Sequence, residues 1–226
     1  MTGASAGRLD NAGREALGVV LELLAEERAS VSSVVDERAW RVHVEDSLAG
    51  LEVDDLRQAP RIADVGAGAG FPGLVLAVAL PEATVDLIES VGRKCEFMRR
   101  AIAAAGIGNA TVVQARSEDL AGGEGREAYD AVTARAVGRL STLAELASPL
   151  LRDGGVLVAW KGRRDAEEEA QLHRASEPLA MRPEAVLKVG NRAGSEHRHL
   201  HVVRKVGATP QNLPRKPGIA KKRPKG

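Results

Sequence analysis

Apolar residues recur at helical spacing near the N-terminus and then gather into short runs separated by turns. Over residues 11–29, Leu17, Val20, Leu21, Leu24 and Ala25 lie three or four apart, which predicts an amphipathic helix. Residues 36–51 predict a second, with Asp36 as N-cap and Val42, Leu48 and Leu51 on one side. Gln58-Ala59-Pro60 breaks the pattern. Beyond it, strands are predicted near 61–65, 84–88, 111–115, 130–134 and 155–160, and helices near 72–80, 92–105, 139–151 and 164–176. Gly106-Ile107-Gly108-Asn109 and Asp153-Gly154-Gly155 supply turns ahead of strands. Such alternation builds a doubly wound, mostly parallel α/β sheet with right-handed crossovers. Residues 184–190 and 199–206 predict a closing antiparallel pair joined by the polar residues 191–197. After Gly207 the chain is rich in Pro and Lys, and no regular element is predicted. Three parts follow: a helical extension over 1–58, an α/β domain over 59–206, and a basic, flexible tail over 207–226.

Composition narrows the class. With 226 residues, 44% hydrophobic and 28% charged, the chain reads as one ordinary globular domain with short extensions. The five aromatics are Trp40, Phe71, Phe97, Tyr129 and Trp160, so Leu, Val, Ile and Ala must fill the core. A single cysteine, Cys95, excludes an internal disulfide framework and reads as a small core residue, and no Cys/His spacing points to zinc. The N-terminal residues carry no apolar signal core, and there is no run of 18 apolar residues, so the expected location is the cytoplasm with no membrane; a monomer is the default because no large apolar surface stripe is left unassigned. The +1 net charge hides an asymmetry: the last acidic residue is Glu196, and nine cations follow it, leaving residues 1–196 at −8. An acidic body with a basic end fits a polyanionic partner, as well as a merely solvated tail.

Residues 62–73, Ile-Ala-Asp-Val-Gly-Ala-Gly-Ala-Gly-Phe-Pro-Gly, carry the chemistry. Gly66, Gly68 and Gly70 alternate where a strand gives way to a helix, a turn that lies at the carboxyl edge of such a sheet, where ligands bind. Gly68-x-Gly70-x-x-Gly73 matches the dinucleotide fingerprint, with Glu89 about 20 residues on. Against that reading stand Asp64, whose carboxylate would repel a pyrophosphate and suits a ligand with an amino group, and Phe71-Pro72, which crowds the phosphate position. The pattern therefore favours S-adenosylmethionine over a nicotinamide cofactor. Glu89, ending the second strand, is placed to bind ribose hydroxyls, and Ser117-Glu118, after the third, to read the adenine edge or to cap a short helix. Arg135 ends the fourth strand, where the methyl group would meet its acceptor, and a cation there suits guanine O6 or a phosphate. The Asn/Asp-Pro-Pro-aromatic turn of amino-group methyltransferases is absent, and Cys95 lies in the wrong segment for a pyrimidine C5 nucleophile.

Lys161 and Arg198 would add positive charge at the same edge, and Arg215, Lys216, Lys221 and Lys222 form the basic end, all as candidate contacts to a polyanionic partner. His197, His199 and His201 alternate along one strand face and read as surface residues rather than a metal site. Glu167-Glu168-Glu169 reads as a solvated helix face. His43 and Asp46-Ser47 share a helix but, lacking a nucleophile elbow, form no convincing triad.

Taken in order, these pieces resemble one family. The Asp64–Gly73 turn with its Phe-Pro-Gly ending, His43-Val-Glu-Asp-Ser-Leu48, Arg93-Lys94 with Phe97, Ala134-Arg135-Ala136, Lys161-Gly162, Arg198-His199-Leu200 and the tail from Leu213 to Pro224 are similar to the RsmG (GidB) family. The resemblance implies a Rossmann-like class I S-adenosylmethionine-dependent methyltransferase fold and activity on N7 of a guanine in 16S ribosomal RNA, within the 30S subunit or an assembly intermediate. It implies that the methyl donor touches Gly66, Phe71, Ser117, Glu118 and Arg135, with Gly68, Gly70 and Glu89 completing the site and no metal involved. It also implies a reaction without a general base, because N7 carries an in-plane lone pair and no proton, so that alignment does most of the catalysis.

Overall fold

The computed structural model describes residues 9–27, 32, 34–189 and 197–226. A seven-stranded sheet in the order β3-β2-β1-β4-β5-β7-β6 runs through the molecule. Its strands are β1 (Arg61–Val65), β2 (Thr84–Glu89), β3 (Ala110–Gln114), β4 (Tyr129–Arg135), β5 (Leu151–Lys161), β6 (Met181–Lys188) and β7 (His199–Lys205). The first five pair in parallel, and β7 enters antiparallel between β5 and β6. The predicted closing pair is present. Of its connection, residues 191–196 lie outside the described residues.

Period-two alternation sorts the strands into two apolar layers. Ile62, Val156, Val158, Trp160, Leu200 and Val202 face one way, toward Leu17, Val20 and Leu24 of helix α1 (Asn11–Glu26), helix α4 (Gly73–Ala79) and Phe97 and Met98 of helix α5 (Gly92–Ala105). Ala63, Val65, Val132, Leu157 and Val203 face the other, toward helix α6 (Ser117–Ala121), helix α7 (Leu140–Ala147) and helix α8 (Ala166–Ser176). The N-terminal helix thus shares a core with the sheet. Its start is fixed by Asp10, whose side chain accepts from the Gly13 amide at 2.7 Å. The end of α5 is fixed by Gly106 at φ +64, with the Ile107 amide reaching back to the Ile102 carbonyl at 3.0 Å.

The second predicted helix changes pitch as it runs. A π-helical turn over Trp40–Glu45 passes into α2 (Asp46–Leu48) and a 3₁₀ turn over Ala49–Glu52, followed by α3 (Asp54–Arg57), which the sequence did not reveal. This segment is pinned to the end of β5: the Trp160 indole donates to the Asp46 carbonyl at 2.8 Å, and a Cβ on Gly50 would sit 2.6 Å from the Trp160 ring.

The segment beyond Gly207 corrects the reading of a structureless end. It crosses the α6–α7–α8 side of the sheet, buries Leu213 and Ala220, and forms helix α9 (Ile219–Lys222). Among the described residues no helix is long and apolar enough to cross a membrane.

Candidate active site

At the carboxyl edge of β1, β2, β3 and β4 lie two cavities that share Gly66. The first, about 200 Å³, is lined by Gly66, Ile88, Glu89, Ser117 and Val137 and by residues of the C-terminal segment. The second, about 340 Å³, is lined by Gly66, Gly68, Phe71, His43, Arg135 and Arg198, among others.

The glycine turn is built between them. Gly66 adopts φ +69, and its amide and that of Ala67 donate to the Ile88 carbonyl at 2.9 and 3.1 Å, tying the turn to the end of β2. The Gly68 amide donates to Glu89 Oε2 at 3.1 Å, while Glu89 Oε1 accepts from the Ser90 and Val91 amides at 2.7 and 2.9 Å. Glu89 is thus a rigid anionic edge on the first cavity. Gly70 lines neither cavity: it has φ +92, and a Cβ there would meet Leu74 at 2.4 Å, so its role is inside the turn.

Asp64 does not face a ligand. It is buried, with Oδ2 accepting from the Gly73 amide at 2.9 Å and Oδ1 from the Thr133 hydroxyl at 3.0 Å. Burial raises its pKa to about 7, against the two hydrogen bonds that favour the anion. It braces the turn against β4 instead of receiving an amino group. The brace also bears on the dinucleotide fingerprint: the Gly73 amide, the helix-start donor a pyrophosphate would use, is already held by a carboxylate.

The second cavity is cationic and organised by one acid. Asp46 Oδ2 accepts from Arg135 Nη1 at 3.0 Å and Oδ1 from Arg198 Nε at 2.7 Å. Arg135 Nη1 also donates to the Val42 carbonyl at 3.1 Å. Burial pulls the Arg135 pKa down, and Asp46 opposes that shift. His43 stacks on Phe71 with ring centroids 4.6 Å apart and planes 16° from parallel, and Arg135 lies 5.9 Å from the Phe71 centroid. The His43 Nε2 donates to the Val34 carbonyl at 2.9 Å, leaving Nδ1 to accept from Arg135 Nη2 at 3.4 Å. Burial first, then Arg135, lowers the His43 pKa, which keeps the ring neutral. His43, Asp46 and Ser47 thus form no triad, in agreement with the sequence. Their role in fixing two arginines was missed, because it needs β4 and β7 brought to the same helix.

Other candidates are redistributed. Phe71 and Arg135 line the second cavity and not the first, whereas Glu89, Ser117 and Glu118 line the first. The Glu118 carboxylate is held by the protein itself: Oε1 accepts from the Gly218 amide at 2.8 Å and Oε2 from Ser117 Oγ at 3.1 Å. Lys161 donates to the Gly138 carbonyl at 2.9 Å and Glu168 at 2.6 Å, and Glu168 also accepts from the Leu140 amide, so the acidic run is partly structural. Arg215 pairs with Glu145. Lys216, Lys221 and Lys222 are exposed. Cys95 is buried, its thiol donating to the Glu89 carbonyl at 3.2 Å. His201 is buried rather than at the surface. Among the described residues no group of three or more His, Cys, Asp or Glu is placed to hold a metal ion.

Residues 21–201 match the family model described as GidB, rRNA small subunit methyltransferase G. Ribosomal RNA small subunit methyltransferase G of Rubrobacter xylanophilus is 45% identical over 80% of this chain and 71% of that protein. The enzyme of the same name from Pelotomaculum thermopropionicum is 38% identical over 86% of this chain and 82% of its own. Among solved structures, a SAM-dependent O-methyltransferase from Thermotoga maritima has the same fold with a TM-score of 0.56 at 15% identity, covering 83% of this chain and 71% of that one.

Proposed function

Because the chain belongs to the GidB family of rRNA small subunit methyltransferases, we propose that it transfers a methyl group from S-adenosylmethionine to N7 of a guanine in 16S rRNA, within the 30S subunit or an assembly intermediate. The observation that carries this is the pair of cavities meeting at Gly66, one edged by Glu89 and the other by Arg135 and Arg198. The first has groups that suit a nucleoside: Glu89 at the end of β2 to accept from ribose hydroxyls, with the Ser117 turn beside it. Bound there, S-adenosylmethionine supplies a sulfonium methyl whose bond to sulfur breaks as a bond to N7 forms. Gly66 lines both cavities, and a Cβ there would come within 2.8 Å of Val137 on the wall of the first.

Residues around the second cavity suit a nucleophile that needs no deprotonation. His43 has both nitrogens engaged, and the nearby Asp64 has both oxygens engaged and is sealed from the cavity. Among the described residues the other ionisable groups on the cavity wall are Lys94, Arg135 and Arg198, which are hydrogen-bond donors. Guanine fits: N7 attacks as it stands, and O6 beside it accepts from a guanidinium. Arg135 and Arg198 therefore orient the base or its phosphate, and Asp46 keeps them in place. The basic residues Lys216, Lys221 and Lys222 would add salt-sensitive phosphate contacts.

Titration calorimetry tests the first cavity directly. S-adenosylmethionine should bind with one-to-one stoichiometry and NAD or NADP should give no heat. Binding of the dinucleotide in place of the sulfonium ligand would overturn the assignment.

A further inference from the structure

The C-terminal segment carries more of the site than its basic composition advertises. Leaving β7, it is fastened at successive points to the domain. The Thr209 amide donates to Glu127 at 2.7 Å, and Arg126 donates to the Leu213 carbonyl at 3.0 Å. Arg215 pairs with Glu145 of α7, a carboxylate that is itself buried. The Gly218 amide donates to Glu118 of α6, Thr142 donates to the Ala220 carbonyl at 3.3 Å, and Gln171 of α8 donates to the Gly226 carbonyl at 3.2 Å. Between these fastenings Gly218, Ala220 and Lys221 come to line the first cavity together with Gly66, Glu89 and Ser117.

We propose that residues 213–222 are the closing wall of the nucleoside cavity on its adenine side, with Glu118 acting as the tether that holds this strap in place. Glu118 is then a positioning residue, and the base is enclosed by the strap and the Ser117 turn. A detached arm that only gathered RNA would have no reason to bury Ala220 or to spend a carboxylate of the cavity rim on the Gly218 amide. Ala220 of this short helix is buried, while the exposed Lys221 also lines the cavity, so the helix serves the cavity and solvent at once. The inference rests on the reading of this cavity as the methyl-donor site.

Hydrogen exchange of the full-length protein, with and without saturating S-adenosylmethionine, tests it without any mutation. Slower exchange is expected in the peptide covering 213–222 together with those covering Gly66–Gly68 and Ser117. Protection of the glycine turn with no change in 213–222 would overturn the strap. No protection anywhere would instead remove the methyl-donor reading beneath it. Glu118→Ala provides a second readout: donor Kd should rise by about tenfold, the loss of one charge-assisted hydrogen bond's worth of order, and the donor-dependent protection of 213–222 should shrink. An unchanged Kd with undiminished protection of the strap would refute the tether.

Discussion

Replacing Asp46 with alanine is the sharpest probe of how the second cavity is held. The carboxylate is about 5% exposed and joins two arginines, one from β4 and one just before β7, to the helical segment over residues 40–52. Removing it leaves Arg135, with a side chain only 12% exposed, a charge in a poorly hydrated position. Stripping one partner from a buried ion pair costs about 3–5 kcal/mol. Two features pull the value toward the lower end: Arg198 is 28% exposed and can recover hydration, and Arg135 keeps the Val42 carbonyl. The expected loss is therefore about 3 kcal/mol, and for a chain of this length a melting temperature lower by roughly 6–12 °C. Asp46→Asn keeps an acceptor without the charge and should fall between. The assay is urea unfolding followed by far-ultraviolet circular dichroism, with Arg135→Ala and the double variant completing a cycle; the two singles should be non-additive by 1 kcal/mol or more, roughly the coupling expected for contacting residues. A loss below about 1 kcal/mol for Asp46→Ala, the range of surface pairs, would refute the claim that this acid organises the cavity.

Three further outcomes follow from the same geometry. Gly73→Ala places a Cβ 2.2 Å from Leu87 and 2.9 Å from Asp64 Oδ2, so it should destabilise by roughly 1–3 kcal/mol and weaken methyl-donor binding; a calorimetric scan and titration that both match the parent would show the turn to be looser than described. Glu89→Gln removes the anion facing Gly68, Ser90 and Val91 and should raise the donor Kd by about 10–100-fold, with an unchanged Kd counting against a ribose contact. Lys205 is fully buried against Ser148 and Thr209, and burial lowers its pKa from 10.5 to about 8. Between those values the unfolded chain binds the proton and the folded one does not, so stability contributed at this site rises with pH over that window. The stability of the parent relative to Lys205→Met should accordingly grow from pH 8 to pH 10, measured by urea titration, and a pH-independent difference would contradict the burial argument.

Much of this was legible because local signals and the fold agreed. Helix α5 begins and ends where its pattern and Gly106 place it, and β1 spans the predicted residues. The glycine turn, Glu89 and Arg135 fall at the carboxyl edge because alternating strands and helices leave no other place for them. What was not legible depends on contacts distant in sequence. Asp64 looked like a ligand because strand position alone cannot show that Thr133 and Gly73 consume its two oxygens. The hold of Glu118 on the terminal segment was not visible because its partner, Gly218, is 100 residues away. The terminal segment looked unstructured because its composition is that of a solvated tail, whereas its order comes from Leu213, Ala220 and the Arg215–Glu145 pair docking on a surface made elsewhere. The change of pitch over residues 40–52 likewise answers to Trp160.

The most direct test of the central claim is transfer of a labelled methyl group from S-adenosylmethionine to 30S subunits and 16S rRNA isolated from cells lacking this protein, with the product mapped by chemical cleavage at 7-methylguanine. The account predicts incorporation at a single guanine of the small-subunit RNA, with cleavage at that position. Label on another atom, another RNA or no RNA at all, from a protein that binds the methyl donor, would contradict it.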